Sequence, residues 1–412
     1  MTDSDRSQTP HSASASDGTV VPLTCPSCDA TYTDRWRCTC GHPLDYETSD
    51  ESTPGDSTSD ESTPGDSTPD ESASADTTSD DAEPDERGVG IRSGTPHTSL
   101  WQYAPLVPED PLVTLGEGGT PLVDAENWDA QFKLEYVFPT GSFKDRGATT
   151  TLSRAAALGV DTVVEDSSGN AGAAVATYAA RAGIDARIYV PADVKPSKLT
   201  AIRRAGGEPV RVEGSRSDVT DACIGAVEET DSDAWYASHA WRPSFLAGTA
   251  TVAYEIAAQR GWNAPDAVVL PLGHGTLFLG AYRGFRRLAE RGWIETVPRL
   301  LGAQAAGVAP IVEQLHGSAA AAGDNDLADG IQIAEPVRRE EILTAVERTD
   351  GDVLAVDTET VESTLDRLHR AGFYTEPTCA TAPAALDSYR DRGTLAADAD
   401  VVVPLTGSGL KT

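Results

Sequence analysis
Two hydrophobic rhythms alternate along the middle of the chain: longer alanine-rich segments closed by glycine, and short runs of Val, Leu and Ile bounded by turn residues. Residues 148–158 are mostly small or apolar and stop at Gly159, which predicts a helix. Residues 162–165 then read as a short strand, 167–170 as a turn into an alanine-rich helix ended at Gly183, and 186–190 as the next strand. Helix 196–205, strand 209–212, helix 218–229 and strand 235–237 continue the series. The apolar strand 267–272 leads into a helix starting near Leu277, and 401–404 is a last strand close to the carboxyl end. Strand, Gly-rich turn and helix repeating in this order predict an α/β fold whose parallel sheets carry helices on both faces. Ligands of such sheets bind outside the carboxyl ends of the strands, so the strand-to-helix turns are the places to look for chemistry.

The amino-terminal quarter breaks this pattern. Residues 1–19 are rich in Ser, Thr and Asp and are expected to be disordered. Residues 20–46 form a small cysteine-bearing module. Residues 47–97 are built on a ten-residue repeat: TSDESTPGDS begins at Thr48, recurs at Thr58 and decays from Thr68. The repeat has no apolar face to bury, so it reads as a linker and not as a solenoid. Such a linker spans about 40 Å even as a flexible coil, so the module is expected to be tethered without necessarily docking. The globular body is assigned to residues 98–412.

Charge narrows the function classes. The net charge is -33, and residues 45–86 hold 16 acidic and no basic side chains, so about half the excess sits there. No basic patch is present, which argues against nucleic acid as a partner. The rest of the acidic excess is diffuse and lysine is scarce, a composition that reads as adaptation to high intracellular salt. No run of 18 apolar residues occurs, and no charged start followed by an apolar stretch opens the chain. A soluble cytoplasmic protein with no membrane partner is therefore expected. The six cysteines do not form a secreted disulfide pattern, and Cys223 and Cys379, each alone in apolar surroundings, read as small buried hydrophobes.

Only five of the 32 basic residues are lysines, and one of them, Lys144, lies in Ser142-Phe143-Lys144-Asp145-Arg146-Gly147 at a helix start. A lysine kept where nearly every other cation is arginine suggests amine chemistry, and Lys144 is the candidate Schiff-base residue. The helix dipole and a nearby cation would disfavour its protonated form. Asp145 and Arg146 read as a structural ion pair. A second turn, Ser167-Ser168-Gly169-Asn170-Ala171-Gly172, presents backbone donors suited to a carboxylate, while the Asn170 amide could bond a ring oxygen. A third, Gly273-His274-Gly275-Thr276 before Leu277, lets backbone approach a phosphate at a helix amino terminus, with His274 read as a loop residue and not a base. The fourth, Leu405-Thr406-Gly407-Ser408-Gly409-Leu410-Lys411, offers a neutral hydroxyl, Thr406, that could bond a pyridine nitrogen.

The order SFKDRG, SSGNAG, GHGT, LTGSGLK resembles the pyridoxal-phosphate enzymes of the tryptophan synthase β-subunit fold (fold type II), and among them the threonine synthase family most, over residues 98–412. The resemblance implies a two-domain catalytic body, an amino-acid substrate and often a homodimer. It makes Lys144 the cofactor-bound amine and the proton-transfer base. Asn170 would bond the phenolate oxygen, Gly273, His274, Gly275, Thr276 and Leu277 would hold the cofactor phosphate, and Thr406 would meet the pyridine nitrogen. The backbone of Ser167, Ser168, Gly169, Asn170 and Ala171 would take the substrate carboxylate, and Lys198 falls where the family has a lysine for substrate phosphate.

The cysteine module points the same way. Cys25-Pro-Ser-Cys28 followed by Cys38-Thr-Cys40 resembles the zinc ribbon that precedes many archaeal members, and four thiolates suit tetrahedral zinc. One residue separates the second pair where two are usual, so His42 is a possible substitute ligand. A second departure concerns the substrate. The family carries an arginine before its Leu-x-Gly-x-x-Thr stretch, and here Phe245 stands before Leu246. His239 and Arg242 could take over the grip on a substrate phosphate. Phe245 equally suits a threonine or serine dehydratase, which handles no phosphate. A non-catalytic zinc and acidic scaffold is the alternative from another class, and retention of all four segments argues against it.

Overall fold
The computed structural model describes residues 20–46, 99–230 and 232–411. The stretches read as a disordered start, 1–19, and a linker, 47–97, lie outside the described residues. In the cysteine module, β1 (Leu23–Thr24), β2 (Thr31–Tyr32) and β3 (Asp45–Tyr46) form a small antiparallel sheet of order β2-β1-β3.

The body opens with a hairpin of β4 (Leu122–Ala125) and β5 (Ala130–Lys133). Next come α1 (Lys144–Ala157), β6 (Thr162–Glu165), α2 (Asn170–Ala182), β7 (Asp185–Pro191), α3 (Pro196–Arg204), β8 (Glu208–Val212), α4 (Arg216–Glu228) and β9 (Ala234–Tyr236). Strands β6 to β9 make an all-parallel sheet of order β8-β7-β6-β9. Helix α5 (Pro243–Gln259) returns the chain to the first half, followed by β10 (Ala267–Pro271), α6 (Thr276–Glu290), β11 (Arg299–Ala305), α7 (Pro310–His316) and α8 (Ser318–Ala321). The chain closes with α9 (Arg339–Arg348), β12 (Asp352–Val356), α10 (Thr358–Arg370), α11 (Pro377–Asp391) and β13 (Val401–Pro404). The second sheet runs β12-β11-β10-β13-β5-β4 and is parallel except for β4. The two parallel sheets flanked by helices are the expected α/β architecture, and the central series appears as read, with ends moved by a few residues.

The packing of α5 brings the reactive ends together. This helix is buried over nearly its whole length, and its buried polar side chains, Ser244, Thr249, Thr251 and Glu255, are hydrogen-bonded. A Cβ on Gly248 would lie 1.9 Å from the Arg146 carbonyl oxygen, so only glycine lets α1 approach α5 this closely. On its other side α5 packs with α6 into one apolar core. The first residues of α1 and α6 thereby become neighbours.

The cysteine module is docked on the body, beyond the tethering that the linker implies. Asp34 accepts from Arg154 Nε (2.9 Å), from Arg242 (3.0 Å) and from Trp235 Nε1 (2.8 Å). Trp36 is buried edge-on against Tyr236 and Trp241. On the other side Asp45 meets Arg283 (2.8 Å) and Arg338 (3.3 Å), so the module bridges α1 and β9 to α6 and the start of α9. None of the described helices is long and apolar enough to cross a membrane.

Candidate active site
Lys144 is the first residue of α1, and its Nζ lies 3.4 Å from Thr276 Oγ1 in the first turn of α6. It also sits 4.1 Å above the Phe143 ring. Burial draws its pKa down to about 8, with Glu165 and Glu376 pulling the other way. The expected cation is not what lowers it: removal from water is the cause, and the neighbouring charges are acidic.

The four segments converge. The third follows β10 and opens α6, and the contact between Lys144 and Thr276 joins it to the first. The fourth is stitched to the first by Phe143 N–H donating to Thr406 O (3.0 Å) and Ser408 N–H to Gly141 O (2.9 Å). The second follows β6, and the Asn170 amide donates to both Glu376 carboxylate oxygens at 2.9 and 3.2 Å. Glu376 in turn anchors its own backbone N–H on Gly407 O at 3.0 Å. The turn Ser167–Ala171 is tight, since a Cβ at Gly172 would lie 1.9 Å from the Ser167 carbonyl oxygen. Gly169 N–H donates to Ser167 Oγ within it.

Behind this floor lies a buried polar cluster. His239 Nδ1 is 2.7 Å from Glu165 Oε1, and the His239 ring stands edge-on to His274 with centroids 5.2 Å apart. Burial, helped by Asp166, raises the Glu165 carboxyl well above its ordinary range. Burial, with the Lys144 charge, lowers His239 to about 3. Both shifts disfavour charge on the pair. Glu165 Oε2 and His274 Nδ1 are buried without a partner among the described residues.

Two expected substrate contacts are corrected. Arg242 is buried and faces away from the four segments: it donates to Tyr236 O (2.6 Å) and to Asp34 (3.0 and 3.1 Å), with Trp235 3.5 Å from its guanidinium. A buried guanidinium requires a carboxylate, and the cysteine module supplies it. Phe245 is fully buried in the core beneath α1, so close that a Cβ on Gly147 would lie 2.2 Å from its ring. It does not line the site. Lys198 stands apart on α3, its Nζ 3.2 Å from Asp329, both side chains partly exposed. Asp145 and Arg146 do not pair with each other. Asp145 accepts from Thr140 N–H (2.9 Å), and Arg146 pairs with Glu135 (2.6 Å) and Glu255 (2.8 Å).

Three participants escaped the sequence reading. Glu165 closes the apolar strand β6, Glu376 precedes the proline that opens α11, and both signals resemble ordinary element ends. Cys379 is buried as expected, but it also lies 3.3 Å from Thr406 Oγ1 and accepts from Gly407 N–H at 3.0 Å. Burial keeps it a thiol by raising its pKa to about 12.

The donor set fits pyridoxal phosphate. A half-buried amine with its pKa drawn down to about 8 can take an aldehyde, the first N–H groups of α6 have no partner inside the helix, and His274 Nδ1 is unpaired among the described residues in the same loop. In the amino-terminal module the four Sγ atoms of Cys25, Cys28, Cys38 and Cys40 lie within 4.8 Å of one another and are placed to hold one metal ion. His42 stays outside that group, its Nδ1 3.4 Å from Cys40 Sγ.

A family model described as pyridoxal-phosphate dependent enzyme matches residues 113–407. The threonine synthase of Methanocaldococcus jannaschii is 32% identical over 323 residues, 75% of this chain and 79% of that one. Those of Methanosarcina acetivorans and Synechocystis are 32% and 33% identical over 329 and 319 residues, covering 76% and 75% of this chain and 80% and 81% of theirs. Among solved structures, maize serine racemase superposes with a TM-score of 0.60 at 22% identity, over 70% of this chain and 88% of that one. The processed form of threonine deaminase isoform 2 from Solanum lycopersicum gives 0.61 at 22% identity, over 75% and 84%. With the four segments in one place and these relatives spanning most of the body, the chain belongs to the pyridoxal-phosphate dependent enzyme family, among the threonine synthases.

Proposed function
We propose that this protein is a threonine synthase that converts O-phosphohomoserine and water to threonine and phosphate. The observation that carries the reading is the convergence of Lys144, Asn170, the Gly273–Leu277 turn and Thr406 in a chain whose curated relatives are threonine synthases. Pyridoxal phosphate, when bound, supplies an electron sink for the charge that proton removal leaves on the substrate. Lys144 would hold the cofactor aldehyde and, freed by substrate, take the α-proton at Nζ, hand it on, and only then take a β-proton, the protons so moved returning to Cα and Cγ of the product. Asn170, steadied by Glu376, bonds the phenolate oxygen. The backbone from Gly273 to Leu277 holds the cofactor phosphate at the amino terminus of α6. Thr406, oriented by Cys379, meets the pyridine nitrogen. The Ser167–Ala171 turn binds the substrate carboxylate, and Lys198 is the remaining cation for substrate phosphate once it leaves Asp329. Phosphate leaves from Cγ and water adds at Cβ.

Zinc is the metal proposed for the four cysteines. Three of their six Sγ separations are 3.5 to 3.6 Å and all lie within 4.8 Å, near the edge of about 3.8 Å that bonds of about 2.3 Å give a tetrahedron. The Tyr32 hydroxyl lies 3.3 Å from Cys38 Sγ, beside the group. A homodimer in a salt-rich cytoplasm completes the proposal. A serine or threonine dehydratase is the second reading, favoured by one observation: neither Arg242 nor residue 245 offers a guanidinium to a phosphate.

The test is purified protein in high KCl with pyridoxal phosphate, given O-phosphohomoserine, threonine and serine separately. Equal yields of threonine and phosphate support the synthase. Ammonia and 2-oxo acid, with no turnover of O-phosphohomoserine, would replace it with the dehydratase.

A further inference from the structure
A leaving phosphate or hydroxide carries charge off the substrate, and a site can offset that charge with a fixed cation or with a proton. The fixed guanidinium is missing here: Arg242 is held by Asp34, and Phe245 is part of the core. Lys144 is occupied as the base. The remaining polar groups within electrostatic reach of Lys144 include Glu165 and His239, both buried, and His274, half-buried with its Nδ1 enclosed.

Their hydrogen bonding is incomplete in a particular way. Glu165 Oε1 and His239 Nδ1 are 2.7 Å apart, while Glu165 Oε2 is buried without a partner among the described residues; His239 Nε2 makes no hydrogen bond among them and, unlike Glu165 Oε2, is not fully enclosed. Phe245 stands 6.0 Å from the imidazole on one side and His274 5.2 Å from it on another, which fixes the ring plane. Asp166, beside Glu165, is turned away into bonds with Tyr236 (2.9 Å), Thr220 (2.6 Å) and Arg216 (3.4 Å), so it cannot share the histidine. A buried acid left with one oxygen unbonded is costly to the fold if idle.

We propose that Glu165 and His239 form a proton relay that protonates the oxygen of the substrate's leaving group, in place of the arginine other family members would use. The inference rests on the reading of the site as one that eliminates an oxygen leaving group. As the Cγ–O bond breaks, its electron pair goes to the oxygen, which takes the proton from His239 Nε2. The Glu165 carboxyl proton passes to His239 Nδ1, leaving a carboxylate and a neutral imidazole. The water that adds at Cβ releases one proton, which returns through His239 to Glu165. Charge and protons balance over the cycle. Glu165 acts through His239 and is a positioning residue; His239 is the group that meets substrate.

Glu165→Gln keeps a donor to Nδ1 but cannot give up a proton, so it separates a relay from a structural bond. With O-phosphohomoserine deuterated at Cα, the variant holoenzyme should still wash deuterium into water within about threefold of the wild-type rate, while phosphate release falls about a hundredfold. Phosphate release near the wild-type rate would overturn the relay. In the cofactor-free protein, 15N NMR at pH 7 should find His239 neutral with its proton on Nε2; an imidazolium there would overturn it too. If Glu165→Gln does not fold, the proton inventory of wild-type phosphate release decides, a curved inventory supporting the relay and a linear one removing it. If the wild type washes out deuterium but releases no phosphate, the synthase reading fails by itself. The same variant is then judged on 2-oxo acid release from serine, where the loss should again be about a hundredfold.

Discussion
Two largely buried polar clusters lie in the body, one around Arg146 and one around Glu165 and His239, and they are built on opposite rules. Around Arg146, every guanidinium N–H has an acceptor: Glu135 at 2.6 and 2.7 Å, Glu255 at 2.8 Å twice, and Thr251 at 2.8 Å. Lys133 completes it with bonds to Glu255 (2.7 Å), Thr120 O (2.6 Å) and Gln259 (2.9 Å). Two cations face two carboxylates, and against the upward push of burial Arg146 and Lys133 hold Glu255 far below its ordinary range. In the cluster of Glu165, His239 and His274 burial disfavours charge on every member, and Glu165 Oε2 and His274 Nδ1 are left without partners among the described residues. Burial is common to both, so burial does not mark function. Saturation separates them: a filled network holds elements together, and an unfilled one has capacity left for a substrate.

The contrast fails if site residues matter to folding or framework residues to chemistry. Lys144→Ala should abolish turnover and the visible absorption band of bound cofactor, while the melting temperature of the cofactor-free protein stays level or rises as a buried amine is lost. Arg146→Ala should lower stability by about 3–5 kcal/mol in denaturant titration, because two carboxylates lose their partner. A wild-type midpoint in that variant would erase the distinction. Phe245→Ala should cost about 3–4 kcal/mol and leave substrate preference unchanged; altered preference would return the residue to the site.

Asp34→Ala should cost about 3 kcal/mol, since Arg154 and Arg242 are left buried with less to pair with. The same contact predicts a pH dependence. Although burial raises it, Arg242 and Arg154 hold Asp34 below its ordinary value of 3.8. Its contribution is therefore complete above pH 3.8 and lost as pH falls through the lower folded value. Smallest in size, the rate at which cofactor-free protein captures pyridoxal phosphate should rise about tenfold per pH unit up to the lysine pKa of about 8, then level off. A profile still rising at pH 10 would mean that burial does not tune this amine.

The alternation of strands and helices was legible because each element carries its own period and its own stop signal, as at Gly159 and Gly183. The hairpin β4–β5 was not, since two four-residue strands that include Asp, Gln and Lys carry no clear alternation. The four turns could be read because the chemistry of each is local: a lysine at a helix start, a glycine that lets backbone approach. Arg242 and Phe245 were misplaced for the opposite reason. Which way a side chain at the start of α5 points depends on Asp34, more than 200 residues away in sequence, and on the space that Gly147 leaves open. The docking of the cysteine module was equally hidden, because a linker's length bounds reach and says nothing about complementary charge at its end.

Local sequence was enough for the α/β class and the cofactor family, because periodicity and turn chemistry are properties of short segments. Which buried polar groups are filled and which stay open emerged only when distant segments met. Hydrogen-bond saturation is a property of the assembled neighbourhood, and no single stretch of this chain contains both halves of either cluster.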